Sequence, residues 1–381
     1  MRFKIKHVLL VVAAIIGFAP TAFTAAAFET TAKQVIIVDY DTGTELFAKG
    51  ADELMEPASM TKMMTVYLLF EQLKNGNMSL EDTLLVSKKA WKKPGSKMFI
   101  EVGKRIKVED LIRGIVVQSG NDASITVAEG LAGSEAAFAE LMTKKARELG
   151  MANTTFRNSS GWPNSQHLTT ARDLATLAVA TIRNFPDYFH YYGETSFTYN
   201  GIKQGNRNPL LYKNIGADGL KTGHTERSGY GVAASVKRGK RRMVMVAHGM
   251  KSIRERSREA ERLIDWSYRE FNSYPLLAAA QTVTNARVWL GSAETVPLQI
   301  SRDLVVVMKR SARRKLKVIA RLDEPVPAPI KKGMEIGRLV VTAPDLQPIE
   351  RPLVAADDVG ALGAFGRLQA AVGYLIWGPG D

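Results

Sequence analysis

The chain has no cysteine among its 381 residues. That excludes disulfides, a thiolate nucleophile and cysteine-held zinc. Histidine is nearly as scarce, at five in all, and none stands with Asp or Glu at metal-ligand spacing. Nothing therefore points to a zinc site, and no cofactor is implied. Negative charge is in deficit, with 38 Asp and Glu against 52 Lys and Arg, a formal net charge of +14. No internal repeat and no low-complexity tract interrupts the chain. No apolar run reaches the roughly 20 residues that a membrane-spanning helix needs.

The longest apolar run stands at the N-terminus and reads as an export signal. Arg2, Lys4 and Lys6 precede the apolar stretch 8–19, Pro20 follows it, and Ala25-Ala26-Ala27 supplies small residues for cleavage. Residues 1–27 are thus expected to be a signal peptide, and the mature protein to work outside the cytoplasm. A strongly basic surface suits nucleic acid, anionic lipid or an anionic wall polymer. Export removes nucleic acid from that set.

Hydrophobic periodicity separates two regions. Residues 34–40 and 44–48 flank the turn Asp41-Thr42-Gly43 and predict a hairpin. Helices are expected from about Ser59 to Leu73, then over 108–117, 122–131, 135–149, 170–183 and 253–271. Strands are expected near 221–223, at 230–236 and at 242–248. After Pro275 the composition shifts to short β-rich runs at 286–290, 303–308, 316–322 and 338–342, punctuated by proline. These patterns give an α+β fold: an antiparallel sheet with helices over 28–275, then a small all-β domain over 282–358. In 361–378, Phe365, Leu368, Val372, Leu375 and Ile376 would form one stripe of a helix, with Tyr374 and Trp377 suited to a membrane interface.

Three motifs occur in order: Ser59-Met60-Thr61-Lys62, Ser119-Gly120-Asn121 and Lys221-Thr222-Gly223. Singly each is common, as an exposed helix turn, a helix start or a strand-edge tripeptide. Amide hydrolysis needs a nucleophile, a base, a proton for the leaving amine and donors for the oxyanion. Ser59 and Lys62, three apart on a helix, share one face. Lysine acts as a base only when burial or a neighbouring cation lowers its pKa, and Lys221 is the candidate cation. Ser119 can relay a proton. Asn121 offers an amide to a substrate backbone.

The order and spacing of these motifs resemble the penicillin-interacting serine enzymes. Along nearly its whole length the chain resembles the low-molecular-weight penicillin-binding proteins that act as D-alanyl-D-alanine carboxypeptidases. The resemblance implies a β-lactamase/transpeptidase-like domain in which Ser59 is acylated, Lys62 is the general base, and Ser119 and Lys221 assist proton transfer. It also implies an oxyanion hole from the backbone N–H groups of Ser59 and His224, with Gly223 on the same strand. Thr222 and Arg207 would take the terminal carboxylate. The implied substrate is a peptidoglycan stem peptide, and β-lactams would be covalent inhibitors. The implied location is the outer face of the cytoplasmic membrane, held through 361–378.

One stretch departs from the pattern. Ser160-Gly161-Trp162 stands where some members carry His-Gly-Leu, so no histidine role in deacylation carries over. Three alternatives remain at this level. An endopeptidase of the same fold would cut cross-links. A class A β-lactamase would need a Glu-x-x-Leu-Asn loop, and the chain has none. A catalytically idle wall-binding protein would not need the motif set intact.

Overall fold

The computed structural model describes residues 28–368 and Val372. The expected signal over 1–27 lies outside the described residues, as do residues 369–371 and 373–378 of the expected C-terminal stripe.

The opening hairpin forms from strands Gln34–Asp39 and Glu45–Lys49. Its turn is tied by Asp39, whose Oδ1 accepts from both the N–H and the hydroxyl of Thr42. The hairpin forms one side of a five-stranded antiparallel sheet. The order runs Glu45–Lys49, Gln34–Asp39, Arg241–Met250, Gly229–Arg238, Ala217–Thr225. Strand Ala217–Thr225 is therefore an edge, and it carries Lys221, Thr222 and Gly223.

Helix Lys62–Lys74 is buried on all sides from Lys62 to Phe70. A helix apolar all round belongs inside a core rather than on a surface. Helices Val108–Val116, Asn121–Ala132, Glu135–Glu148 and Ala171–Asn184 share one hydrophobic cluster with it. Side-chain caps start the last two, Ser134 accepting from the Ala137 N–H and Thr170 from the Asp173 N–H. Asp173 itself accepts from the Asn153 N–H and the Thr154 hydroxyl, so it fastens a loop rather than facing the cleft.

The C-terminal region is all β. Strands Phe271–Leu277 and Leu304–Lys309 pair, and a six-stranded sheet runs Lys317–Leu322, Glu335–Ala343, Leu346–Ala355, Thr295–Gln299, Thr282–Trp289, Val326–Pro327. Both sheets contribute to one aliphatic core that includes Val306, Met308, Leu339, Val341 and Leu353.

Two expectations need correction here. The first domain does not end at 275, because that residue lies inside strand Phe271–Leu277, which pairs with Leu304–Lys309. Prolines also do not simply punctuate the strands, since Pro297 sits within Thr295–Gln299 and Pro348 and Pro352 within Leu346–Ala355. The latter strand meets Thr295–Gln299 only through Val354 and Ala355. Its earlier residues pair on one side alone, where a missing N–H costs no ladder bond.

Candidate active site

Ser59 lies in the short 3-10 turn Ala58–Thr61, which runs directly into helix Lys62–Lys74. The expected single helix thus begins with a tighter turn, and Ser59 and Lys62 still meet. Ala58 holds a positive φ of 48° and Ser119 one of 61°. Non-glycine residues in this region cost roughly 1–3 kcal/mol and gather at functional sites. Two glycines let neighbouring segments press against the turn. A Cβ on Gly161 would lie 1.8 Å from the Ala58 carbonyl oxygen, and one on Gly223 2.8 Å from that of Pro57.

Lys62 is fully buried. Its Nζ donates to Ser59 Oγ at 3.0 Å, Asn121 Oδ1 at 2.8 Å and the Ser160 carbonyl at 2.7 Å. Three acceptors match the three protons of an ammonium. Burial nevertheless pushes the Lys62 pKa down to about 7, with the Arg207 charge adding to it. On losing one proton the amine keeps two donors for Asn121 and Ser160 and turns its lone pair toward the serine hydroxyl.

The cation that acts most on Lys62 is Arg207, while Lys221 is itself driven well below its ordinary value, by burial first and the Lys62 charge second. Lys221 Nζ donates to the Thr222 carbonyl at 3.1 Å. Ser119 Oγ is buried and makes no hydrogen bond. Asn121 is mostly committed to protein, with Oδ1 on Lys62 and Nδ2 donating to the Pro94 carbonyl at 2.8 Å.

Two cavities meet at Ser59, Ser96 and His224, which line both. The smaller, about 500 Å³, adds Ser119, Arg207, Thr222, Gly223, Tyr230 and Arg256, and among the described residues no carboxylate lines it. The larger, about 820 Å³, runs past Asn121, Ser160 and Trp162 to Glu56 and Arg227. His224 stacks on Tyr230 with ring centroids 3.9 Å apart.

Several residues with no motif signal build this site. Asp122 accepts from the N–H groups of Met98, Phe99 and Ile100, fixing the segment that carries Ser96. Ser96 in turn accepts from Arg207 Nη1 at 2.6 Å. Arg256 donates to the Arg207 carbonyl, and burial lowers its pKa to about 10. His167 accepts from the Arg157 N–H through Nδ1, so its Nε2 proton faces Thr61 Oγ1 at 2.9 Å. Ser159 donates to Glu135 at 2.9 Å beside Ser160. Only proximity in the fold marks these groups.

Residues 21–252 match the family described as D-alanyl-D-alanine carboxypeptidase, and residues 271–361 match the penicillin-binding protein 5 C-terminal domain. The chain is 37% identical to the D-alanyl-D-alanine carboxypeptidase DacC of Escherichia coli (strain K12), over 92% of this chain and 91% of that one. The solved structure of penicillin binding protein 5 from Haemophilus influenzae superposes with a TM-score of 0.79 at 34% identity, covering 87% of this chain and 98% of that chain. Penicillin-binding protein D2 from Listeria monocytogenes, in its cefotaxime-bound form, gives a TM-score of 0.58 at 28% identity, covering 62% and 97%.

Proposed function

This chain belongs to the serine D-alanyl-D-alanine carboxypeptidase family, and from that premise we propose that it removes the terminal D-alanine of a peptidoglycan stem peptide through an acyl-enzyme on Ser59. The observation that carries the reading is the 3.0 Å contact between Lys62 Nζ and Ser59 Oγ, made by a lysine whose pKa burial lowers to about 7. Near neutrality a substantial fraction of such an amine is free to accept a proton, as a general base must.

The steps follow from the groups around it. Lys62 takes the Ser59 proton, and Oγ attacks the carbonyl carbon of the penultimate residue. The developing oxyanion is held by the backbone N–H groups of Ser59 and His224. The unpartnered Ser119 hydroxyl, supported by Lys221, delivers a proton to the departing amine of D-alanine. Arg207 and Thr222 receive the terminal carboxylate, with Arg256 adding positive charge behind them. A guanidinium can grip a carboxylate in bidentate fashion, and that grip orients the scissile bond. Water then releases the acyl group. β-Lactams enter by the same attack and remain as the acyl adduct.

Mass spectrometry of the protein treated with penicillin should find one drug mass on the peptide that contains Ser59, and none in Ser59→Ala. An adduct on any other serine sinks the assignment.

The same proposal extends to location: export on residues 1–27 and retention at the outer face of the cytoplasmic membrane by 361–378. Phe365 is 83% exposed and Leu368 63%, a surface that apolar side chains leave on binding a lipid interface. No helix among the described residues is long and apolar enough to cross a membrane. Truncation after Gly360 should release the protein to the soluble fraction with penicillin labelling intact; unchanged fractionation contradicts the anchor.

A further inference from the structure

The six-stranded sheet of the C-terminal region has two edges, and they are built differently. One is Val326–Pro327, two residues long, with Pro325 and Pro329 on either side. Shortness and missing N–H groups stop a further strand from adding there. The other is Lys317–Leu322, six residues long, with no proline. Its pairing with Glu335–Ala343 runs without a register shift, from Lys317 opposite Thr342 to Leu322 opposite Gly337.

The phase of that ladder tells which backbone groups are open. Just past the strand, the Asp323 N–H donates to the Ile336 carbonyl at 3.3 Å. Hydrogen-bonded and non-hydrogen-bonded pairs alternate along an antiparallel ladder. Lys317, Ile319 and Arg321 therefore turn their N–H and C=O groups toward the neighbouring strand. A Cβ on Gly337 would lie 2.3 Å from the Arg321 carbonyl oxygen, as that orientation requires. Val318, Ala320 and Leu322 turn theirs away from the sheet.

The side chains along this edge are open too. Val318 is 43% exposed and Ile319 51%. Lys317 and Arg321 are exposed on the same face as Ile319, and Arg313, Arg314 and Lys315 precede them in the turn Arg310–Lys315. Among the described residues no ion pair holds Arg314, Lys315, Lys317 or Arg321, whereas Arg338 meets both Glu335 and Glu350. Arg321 stands directly opposite Arg338, an unfavourable like-charge pair. Cations on an edge oppose pairing with a second copy, which would set them against themselves. The same charge favours a strand of opposite sign.

We propose that Lys317–Leu322 is a docking edge for an extended acidic segment of a partner protein, which adds to the sheet as one further strand. Backbone bonds to Val318, Ala320 and Leu322 supply the pairing, and side chains supply the selection. Carboxylates opposite Lys317 and Arg321 set the charge, and a β-branched residue between them covers Ile319. None of these residues lines the two cavities at Ser59, so docking is a function separate from the reaction.

The probe is a fluorescein-labelled peptide, Asp-Glu-Val-Thr-Val-Glu-Asp, mixed with the full chain and followed by anisotropy. It should bind, and the same peptide with lysine at every acidic position should bind at least about tenfold more weakly. Ala320→Pro removes an outward N–H and no existing ladder bond. It should weaken binding of the acidic peptide about tenfold, with the circular dichroism of the wild type. Lys317→Glu combined with Arg321→Glu should reverse the preference and bind the lysine peptide, a gain that no misfolded chain produces. Amide hydrogen exchange over Lys317–Leu322 should slow when the acidic peptide is bound. No binding of that peptide at millimolar concentration overturns the proposal. Equal binding by the wild type and Ala320→Pro, or unchanged exchange on binding, also overturns it and leaves a cationic patch for a lipid or polymer instead.

Discussion

The two regions of the molecule treat polar groups in opposite ways. The region before Phe271 buries Lys62, Ser119, Asn121, Asp122, Asp173, Lys221 and Arg256 among others. From Phe271 onward, no described residue is a buried polar or charged side chain, and the core is aliphatic. Burying a charge costs several kcal/mol unless it is paired, hydrogen-bonded or neutralised. The first region meets that cost with hydrogen bonds, as at Asp122 and Asp173, and with lowered pKa values at Lys62, Lys221 and Arg256. The second meets none of it, because its described Lys and Arg side chains stay out of the core. What the difference teaches is where stability is set aside for chemistry and where it is not.

The sharpest break in the comparison comes from the base. Lys62→Arg keeps a buried cation but cannot release its proton usefully. Acylation by a fluorescent penicillin should fall about 10²-fold or more, the usual cost of losing a general base. Acylation at the wild-type rate contradicts the role.

The reverse experiment acts on the C-terminal core. Leu339 is 1% exposed in strand Glu335–Ala343. Leu339→Ala should destabilise the β domain by about 2–5 kcal/mol, read by calorimetry or urea. The acylation rate of Ser59 should not change. A parallel fall in acylation means that the cleft depends on the β domain, and the comparison fails.

A smaller and graded effect comes with pH. Lys62 holds a pKa of about 7 in the fold against 10.5 ordinarily. Between those values the unfolded chain binds the extra proton, so stability of the first region should rise with pH across that window. The slope is on the order of 1.4 kcal/mol per pH unit for one such group. Below about pH 7 the penalty is constant. Acylation should follow the same titration, falling about tenfold per unit below pH 7 and levelling above it. The β domain has no buried lysine and should show no such slope. A pH-independent acylation rate from 5 to 8 excludes Lys62 as the titrating base.

Much of this was legible in the linear chain, for reasons that are local. The run Met63, Val66, Leu69, Phe70, Leu73 predicts a helix because spacing alone places apolar groups on a core. Asp41-Thr42-Gly43 predicts a turn because its residues tolerate one. The strands at Phe271–Leu277, Thr295–Gln299 and Leu346–Ala355 escaped, because proline reads as a breaker until the unpaired side of a strand is known. Ser96, Asp122, Arg256 and His167 also escaped, since an isolated polar residue carries no signal of what it will face.

The sequence by itself determined the set of reacting groups and their order along the chain: Ser59 with Lys62 one turn apart, Ser119 and Asn121 at a helix start, and Lys221 to His224 on one strand. Covalent spacing and backbone period suffice for that. Only the tertiary structure decided their chemistry. It sealed Lys62 from water beside Arg207, so that an ordinary lysine became a base near neutrality. It brought Gly161 and Gly223 against the Ser59 turn, and it gave the cleft a cationic end. Those outcomes depend on desolvation and on charges brought together from distant positions, and neither quantity exists until the chain has folded.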